Sequence, residues 1–319
     1  MNTLLKSVPG NLGISRTSRK GGQNLSLLIV LIVAVGLTVT TEQFLSAENA
    51  QNLVVQVTPL LLVALGQTIV VLTGGLDVSV GALIGLVAAA ITLPIDPAVG
   101  ILLVLGIAIV VGTINGSAIA FLDIHPIIAT LSTSTIITGI ALLIRPTPGG
   151  DVPGWLALSV GSGFAGVPSE LAWCVLAMAA ALYLLGRTRF GLYVFAIGGS
   201  AENARLAGIN VTRVTIMSYI TCSLFAASAG LFLAARISSG DALIGLPFTL
   251  ASITAVALGG TQFTGGLGGA KGTLLGCLLL AILSNGMNLL NVSPFLQSIV
   301  SGLLLLLAVG FTRRKTIGI

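Results

Sequence analysis

What most constrains this chain is a succession of apolar runs, each about as long as a bilayer is thick, separated by short polar breaks. A helix needs roughly 20 mostly apolar residues to cross the hydrocarbon core, and only its internal hydrogen bonds can satisfy its backbone there. Ten candidate spans follow: 25–41, 53–73, 78–93, 98–121, 125–144, 170–186, 213–236, 246–260, 270–290 and 294–311. Composition agrees, because 55% of the 319 residues are hydrophobic, 7% are charged, and mean hydropathy is +1.10. A water-soluble fold is excluded. The expected fold is all-α and polytopic, with about ten transmembrane helices forming one domain over 25–311, between tails at 1–24 and 312–319. The third and eighth spans are short, so they are expected to be tilted, broken or partly re-entrant.

Of the Lys and Arg residues, all but Arg145 and Arg236 fall on one side of these spans. Lys6, Arg16, Arg19 and Lys20 precede the first span; Arg187, Arg189, Arg205 and Arg213 lie between the sixth and seventh; Lys271 precedes the ninth; Arg313, Arg314 and Lys315 close the chain. Basic residues mark the cytoplasmic side, so both termini and the loop 187–213 are expected there. The basic leader before an apolar run also has the outline of a signal peptide, with Leu45-Ser46-Ala47 as a loose cleavage site. The run is as long as a short span and the site lacks the small residue three back from the cut, which favours an uncleaved anchor.

Several chemistries are excluded. The net charge of +5 is spread along membrane edges, not gathered on a solvated face, so nucleic-acid binding is not expected. Cys174, Cys222 and Cys277 each lie inside an apolar run and read as space fillers. His125, the sole histidine, stands beside Pro126 without clustered carboxylates or thiols, so no metal is expected and a capping or interfacial role is the simpler reading. Gly259-Gly260 to Gly268-Gly269-Ala270-Lys271-Gly272 resembles a phosphate loop only superficially, because the Gly-Lys-Ser/Thr ending is absent. Gly161-Ser162-Gly163-Phe164-Ala165-Gly166 matches GxGxxG but lacks a strand-turn-helix setting. No cofactor and no catalytic residues are expected, and the chain carries no energy-coupling device of its own. Power must come from a partner, or transport is passive.

Two halves of the chain share a pattern. Gly74-Gly75-Leu76-Asp77 leads into Val78-Ser79-Val80-Gly81-Ala82-Leu83-Ile84-Gly85, and Gly240-Asp241 leads into Ala242-Leu243-Ile244-Gly245. Further on, Asn115-Gly116 precedes Pro126, and Asn285-Gly286 precedes Pro294. The pairs belong to spans 2–5 and 7–10, an odd offset, which predicts an inverted repeat of the kind that builds transport pathways.

Within the first half, the paired glycines Gly74 and Gly75 end one helix, Asp77 is suited to cap the next, and Gly81 is a further structural glycine. Gly259 and Gly260 are structural glycines of the second cluster. Acidic and hydroxyl groups at an intramembrane break are also candidates to hydrogen-bond a polyol, which makes Asp77 and Ser79 candidate pathway residues, and the matching pattern of the second half adds Asp241 and Asn285. Capping alone accounts equally well for Asp77. In the loop 187–213, Ala201-Glu202-Asn203-Ala204-Arg205-Leu206-Ala207-Gly208-Ile209 reads as a short amphipathic helix with Ser200 as cap and Gly208 as stop. A docking knob and a solvated loop fit that spacing equally.

Four ordered stretches resemble the permeases of ribose-type carbohydrate ABC importers, the group that handles ribose, xylose, arabinose and galactose. They are Gly74 to Gly81; Pro126-Ile127-Ile128-Ala129-Thr130-Leu131 with its Ser/Thr run; Ala196 to Ile209; and Leu258-Gly259-Gly260-Thr261 to Asn285-Gly286-Met287-Asn288-Leu289-Leu290-Asn291-Val292-Ser293-Pro294. Together they cover about residues 50 to 311. The resemblance implies a subunit of the bacterial inner membrane that takes a monosaccharide from a periplasmic sugar-binding protein. A cytoplasmic ABC ATPase would drive it, beside a second permease copy, identical or different. It also implies that Ala201 to Ile209 is the coupling helix on the ATPase. The sequence departs from the family at Ser200, where Asn is usual, at Val78, where Leu is common, and at Asp123-Ile124-His125. A branched-chain amino-acid ABC permease and a stand-alone secondary transporter are the competing readings. The sequence names no particular sugar.

Overall fold

The computed structural model describes residues 16–161, 163, 164 and 167–310. Among them helices dominate. α1 (Arg16–Thr40) passes through a 3-10 turn at Glu42–Leu45 into α2 (Ala47–Leu72), then α3 (Val80–Ala90), α4 (Pro97–Leu122) and α5 (Pro126–Ile144). A connection with the short α6 (Gly154–Ala157) and a hairpin of β1 (Gly163–Phe164) and β2 (Val167–Pro168) leads to α7 (Glu170–Arg187). α8 (Arg189–Gly199), α9 (Ala201–Leu206), α10 (Val211–Ile237), α11 (Leu246–Leu258), α12 (Ala270–Leu289) and α13 (Pro294–Gly310) complete the chain.

Every expected span coincides with a helix. Six of them, α2, α4, α5, α7, α10 and α12, are long and apolar enough to cross a membrane, and α1, α3, α11 and α13 carry shorter apolar stretches. The chain is a multi-pass helical membrane protein. α3 has 11 residues and α11 has 13, so at 1.5 Å per residue they are about 16 and 20 Å long, well short of a core about 30 Å thick. They are part-helices beside full ones, as the shortness of the third and eighth spans leads one to expect.

Local chemistry sets the boundaries. Asp96 accepts from the Ala98 amide at 2.8 Å and Pro97 opens α4, where a missing N–H costs nothing. Ser46 accepts from the Asn49 amide at 3.1 Å, so Leu45-Ser46-Ala47 forms the capped entry to α2. Asp123 takes a left-handed conformation (φ 52°) and ends α4. His125 precedes α5 without any side-chain cap, so its part is played by backbone alone. The terminal residues 1–15 and 311–319, with Lys6, Arg313, Arg314 and Lys315, lie outside the described residues.

α2 and α10 form the centre and run antiparallel. Gly66 in α2 lies against Cys222 and Phe225, while Leu76, beyond the end of α2, meets Tyr219 nearer the start of α10. A methyl on Gly66 would stand 2.8 Å from Phe225 Cβ and 2.9 Å from the Cys222 carbonyl oxygen, so this crossing tolerates only glycine. Gly112 and Gly116 of α4, one turn apart, meet the backbone of Ile220 and Ile216 in the same way. Small residues four apart allow this close approach where lipid supplies no hydrophobic drive between helices. The outward faces of α4, α5, α7 and α13 carry exposed Leu102, Ile128, Leu176 and Leu303, as a lipid-facing surface should.

The packing has internal symmetry. α2 packs on α11 and α12 as α10 packs on α3 and α4, and α5 lies on α3 as α13 lies on α11. Exchanging α2–α5 with α10–α13 maps these contacts onto themselves, with the central pair antiparallel, as an inverted repeat of spans 2–5 and 7–10 requires. The register differs from the sequence match. Ala82 to Gly85 sits inside α3, whereas Ala242 to Gly245 precedes α11, whose start is fixed by Pro247 in its first turn. The two matching stretches touch each other: a methyl on Gly85 would overlap the Ala242 carbonyl, and one on Gly245 would overlap the Gly81 carbonyl.

Candidate functional site: the break between α2 and α3

α2 ends at Leu72 because Thr73, Gly74 and Gly75 turn back on it, their amides bonding to Val70 and Val71 carbonyls at 2.9 to 3.1 Å. Gly74 has φ 85°, which glycine adopts without strain. Gly75 faces the Tyr219 hydroxyl so closely that a methyl there would stand 2.6 Å from it. The chain then continues outside any helix to α3, and its largely buried polar groups need partners.

Side chains from four helices supply them. Asp77 Oδ1 accepts from the Ser79 amide at 2.8 Å and from the Ser79 hydroxyl at 2.6 Å. Asn115 of α4 donates to Ser79 Oγ at 2.8 Å. Thr130 of α5 accepts from the Val78 amide at 3.0 Å, and Tyr219 of α10 donates to the Leu76 carbonyl at 3.3 Å. Gln67 of α2, with its amide turned so that each end meets its complement, holds the N–H and C=O of Asp77, each at 3.2 Å. Asp77, Ser79, Asn115, Thr130, Gln67 and Tyr219 are all buried. Asp77 Oδ2 and Asn115 Oδ1 have no hydrogen-bond partner among the described residues.

The other candidate residues lie elsewhere. Asp241 Oδ1 accepts from the Leu243 amide at 2.8 Å, the same bond to a residue two ahead that Asp77 makes, but Asp241 is only half-buried. Beside it, Gly240 pairs with Gly149 through two 2.9 Å backbone bonds. Asn285 forms a reciprocal amide pair with Asn49 at the start of α2, at 2.8 and 3.0 Å, and Asn49 also donates to the Phe44 carbonyl at 2.9 Å. Asp77 and Ser79 thus share one buried cluster, while Asp241 and Asn285 belong to two further places. Sequence reasoning passed over Gln67, Asn49 and Tyr219 as participants. Gln67 is a polar residue at an intramembrane position, which is a signal in itself; nothing in the pattern marks Asn49 or Tyr219.

The remaining glycines serve packing. Gly81 meets Thr249 and Gly245, Gly259 meets Gly272, and Gly260 has φ 78°. Cys174, Cys222 and Cys277 are free and buried, and Cys174 lies 3.0 Å from Thr58 Oγ1. Among the described residues no group of three or more His, Cys, Asp or Glu could hold a metal. Gly163-Phe164 pairs with Val167-Pro168 in a hairpin, not in a strand-turn-helix; Ser162, Ala165 and Gly166 of that stretch lie outside the described residues. The side chains around Asp77 hydrogen-bond the segment that joins α2 to α3.

On the connection between α7 and α10, Ser200 Oγ accepts from the Asn203 amide at 3.2 Å and caps α9. Gly208 at φ 82° terminates it. Ala204 is buried, whereas Arg205 is exposed and Leu206 is 82% exposed, so α9 presents an apolar tip outward from an anchored base.

Residues 49–309 match the family model described as the branched-chain amino acid transport system / permease component. The ribose import permease protein of Bacillus subtilis (strain 168) is 39% identical over 308 residues, covering 93% of this chain and 94% of that one. Its counterpart in Escherichia coli (strain K12) is 34% identical over 302 residues, covering 91% and 93%. The galactose/methyl galactoside import permease protein of Haemophilus influenzae is 31% identical over 315 residues, covering 91% and 94%. No solved structure matches the chain.

Proposed function

Because the chain belongs to the family of branched-chain amino acid transport system / permease components, we propose that it is the membrane-spanning subunit of an ATP-driven importer of a pentose or hexose. The observation that carries the sugar reading is near-full-length similarity to a ribose import permease, at 39% identity over 93% of this chain. The family description covers branched-chain amino acid systems as well, but the relatives compared above are named for ribose and galactose.

In this reading a binding protein delivers the sugar on the outer side of a bacterial inner membrane. A second permease copy completes the pathway, and a cytoplasmic ABC ATPase supplies the free energy. The loop 187–213 and both termini face the cytoplasm, as the distribution of basic residues supports. α9, with Ala207, Gly208 and Ile209 behind it, docks on the ATPase. ATP binding draws the docked segments together and the inverted halves rock, shifting access across the membrane. Asp77 and Ser79 fix the break on one side of the bundle; Asp241 and the Asn285–Asn49 pair define positions on the other. This chain makes and breaks no covalent bond.

Expression with its binding protein, followed by mass spectrometry of the ligand retained by that protein, tests the substrate class. A pentose or hexose is the expected ligand. A branched-chain amino acid in its place would overturn the sugar reading and leave the family intact.

A further inference from the structure

The connection between α11 and α12, residues 259–269, is rich in glycine. It meets two other segments. Gly266 donates its amide to the Leu72 carbonyl, the last residue of α2, at 2.9 Å. Gly198 of α8, two residues before the cap of α9, lies against both: a methyl there would overlap the Leu72 carbonyl oxygen and the Gly266 nitrogen, and would stand 2.9 Å from the Gly265 carbonyl carbon. A methyl on Gly265 would in turn stand 2.8 Å from Gly198 Cα and 3.0 Å from the Gly74 nitrogen. Three backbones therefore touch with no side chain between them: the end of α2 at its break, the end of α8, and the α11–α12 connection.

We propose that this three-way glycine contact is the joint that transmits movement of α9 to the two part-helices, with Gly198 as its positioning residue. The proposal rests on the reading of α9 as the ATPase-docking element. Displacement of α9 acts on α8 through the single capped turn at Ser200, and α8 ends on the joint. From there one branch runs through Gly74 and Gly75 to the Asp77 cluster and α3, and the other runs through Gly265 and Gly266 back to α11. Backbone-to-backbone contact transmits displacement without the slack of flexible side chains, because packed groups shift between discrete arrangements and do not deform continuously. The joint reaches one part-helix from each inverted half, so a single push would move both.

The structure supplies an internal control. Gly199, the next residue in the same helix, has nothing within 4 Å of where a methyl would be placed. Gly198→Ala and Gly199→Ala are compared in membrane vesicles containing the partner ATPase and the binding protein, scoring ATPase co-purification, ATP hydrolysis and sugar uptake. Gly198→Ala is expected to keep the ATPase bound and hydrolysing while sugar moved per ATP falls roughly tenfold; Gly199→Ala is expected to behave as wild type. Unchanged coupling in Gly198→Ala, or an equal loss in both variants, overturns the joint. If the wild-type chain retains no ATPase, the docking reading fails and takes the joint with it. A second measurement needs no substitution: hydrogen exchange of the wild-type complex with and without ATP. Segments 189–209, 72–79 and 259–269 are expected to change protection together. A change confined to 189–209 overturns the proposal.

Discussion

Replacing both Arg205 and Leu206 with glutamate is expected to abolish uptake and to release the partner ATPase, while the helical bundle stays folded. Arg205 is exposed and Leu206 is 82% exposed, so neither substitution removes core packing. The base of α9 is untouched, since Ala204 remains buried and the Ser200 cap remains bonded to Asn203. At a protein interface arginine is among the residues that carry much of the affinity, and losing one such anchor costs on the order of 2 kcal/mol or more. Two new carboxylates add like-charge repulsion or burial without a partner, which is costlier still. Affinity should fall by roughly a hundredfold or more. Co-purification of the ATPase at wild-type yield would show that α9 is a solvated turn and not a docking element.

The second large effect concerns Asp77. Asp77→Leu takes the acceptor from the Ser79 amide and hydroxyl, and through Ser79 it disturbs the bond from Asn115. Each buried polar group left without a partner costs about 1–3 kcal/mol, and several are stranded at once. Loss of folded protein, read as a lower melting temperature in detergent and absent uptake, is the expected outcome. Asp77→Asn behaves differently, because its side-chain oxygen still accepts both Ser79 bonds. Folding and uptake near wild type are expected of Asp77→Asn. Normal folding with abolished uptake would instead assign the carboxylate a charge-dependent part in passage of the sugar.

The legible part of this fold is what the bilayer dictates. Segments 98–121 and 270–290 became α4 (Pro97–Leu122) and α12 (Ala270–Leu289) because length and apolarity leave a spanning segment few alternatives. The ends of α9 were legible for a different reason: Ser200 and Gly208 act locally, one through a cap and one through positive φ. The packing of the halves was foreshadowed by their glycine patterns, but not the register, since Pro247 delays α11 past the stretch that resembles α3.

The site was half legible. Asp77, Ser79 and the paired glycines stood out because polar and flexible residues within apolar sequence must earn their place structurally. Tyr219, Asn115 and Thr130 come to the same cluster from three other helices. That meeting depends on how α4, α5 and α10 cross, which no local pattern encodes. Asn285 was singled out for its likeness to Asn115, yet it pairs with Asn49 at the start of α2. Equivalent positions in a repeat share backbone placement without sharing partners.

On the proposed reading this chain converts a partner's ATP-derived energy into passage of a sugar. Uptake of the radiolabelled sugar that its binding protein retains, into proteoliposomes holding the chain alone or together with its ATPase and binding protein, separates an ATP-driven subunit from a stand-alone transporter. Uptake only when both partners and ATP are present is the predicted result. Equal uptake by the chain alone, with an ion gradient or with none, would contradict it.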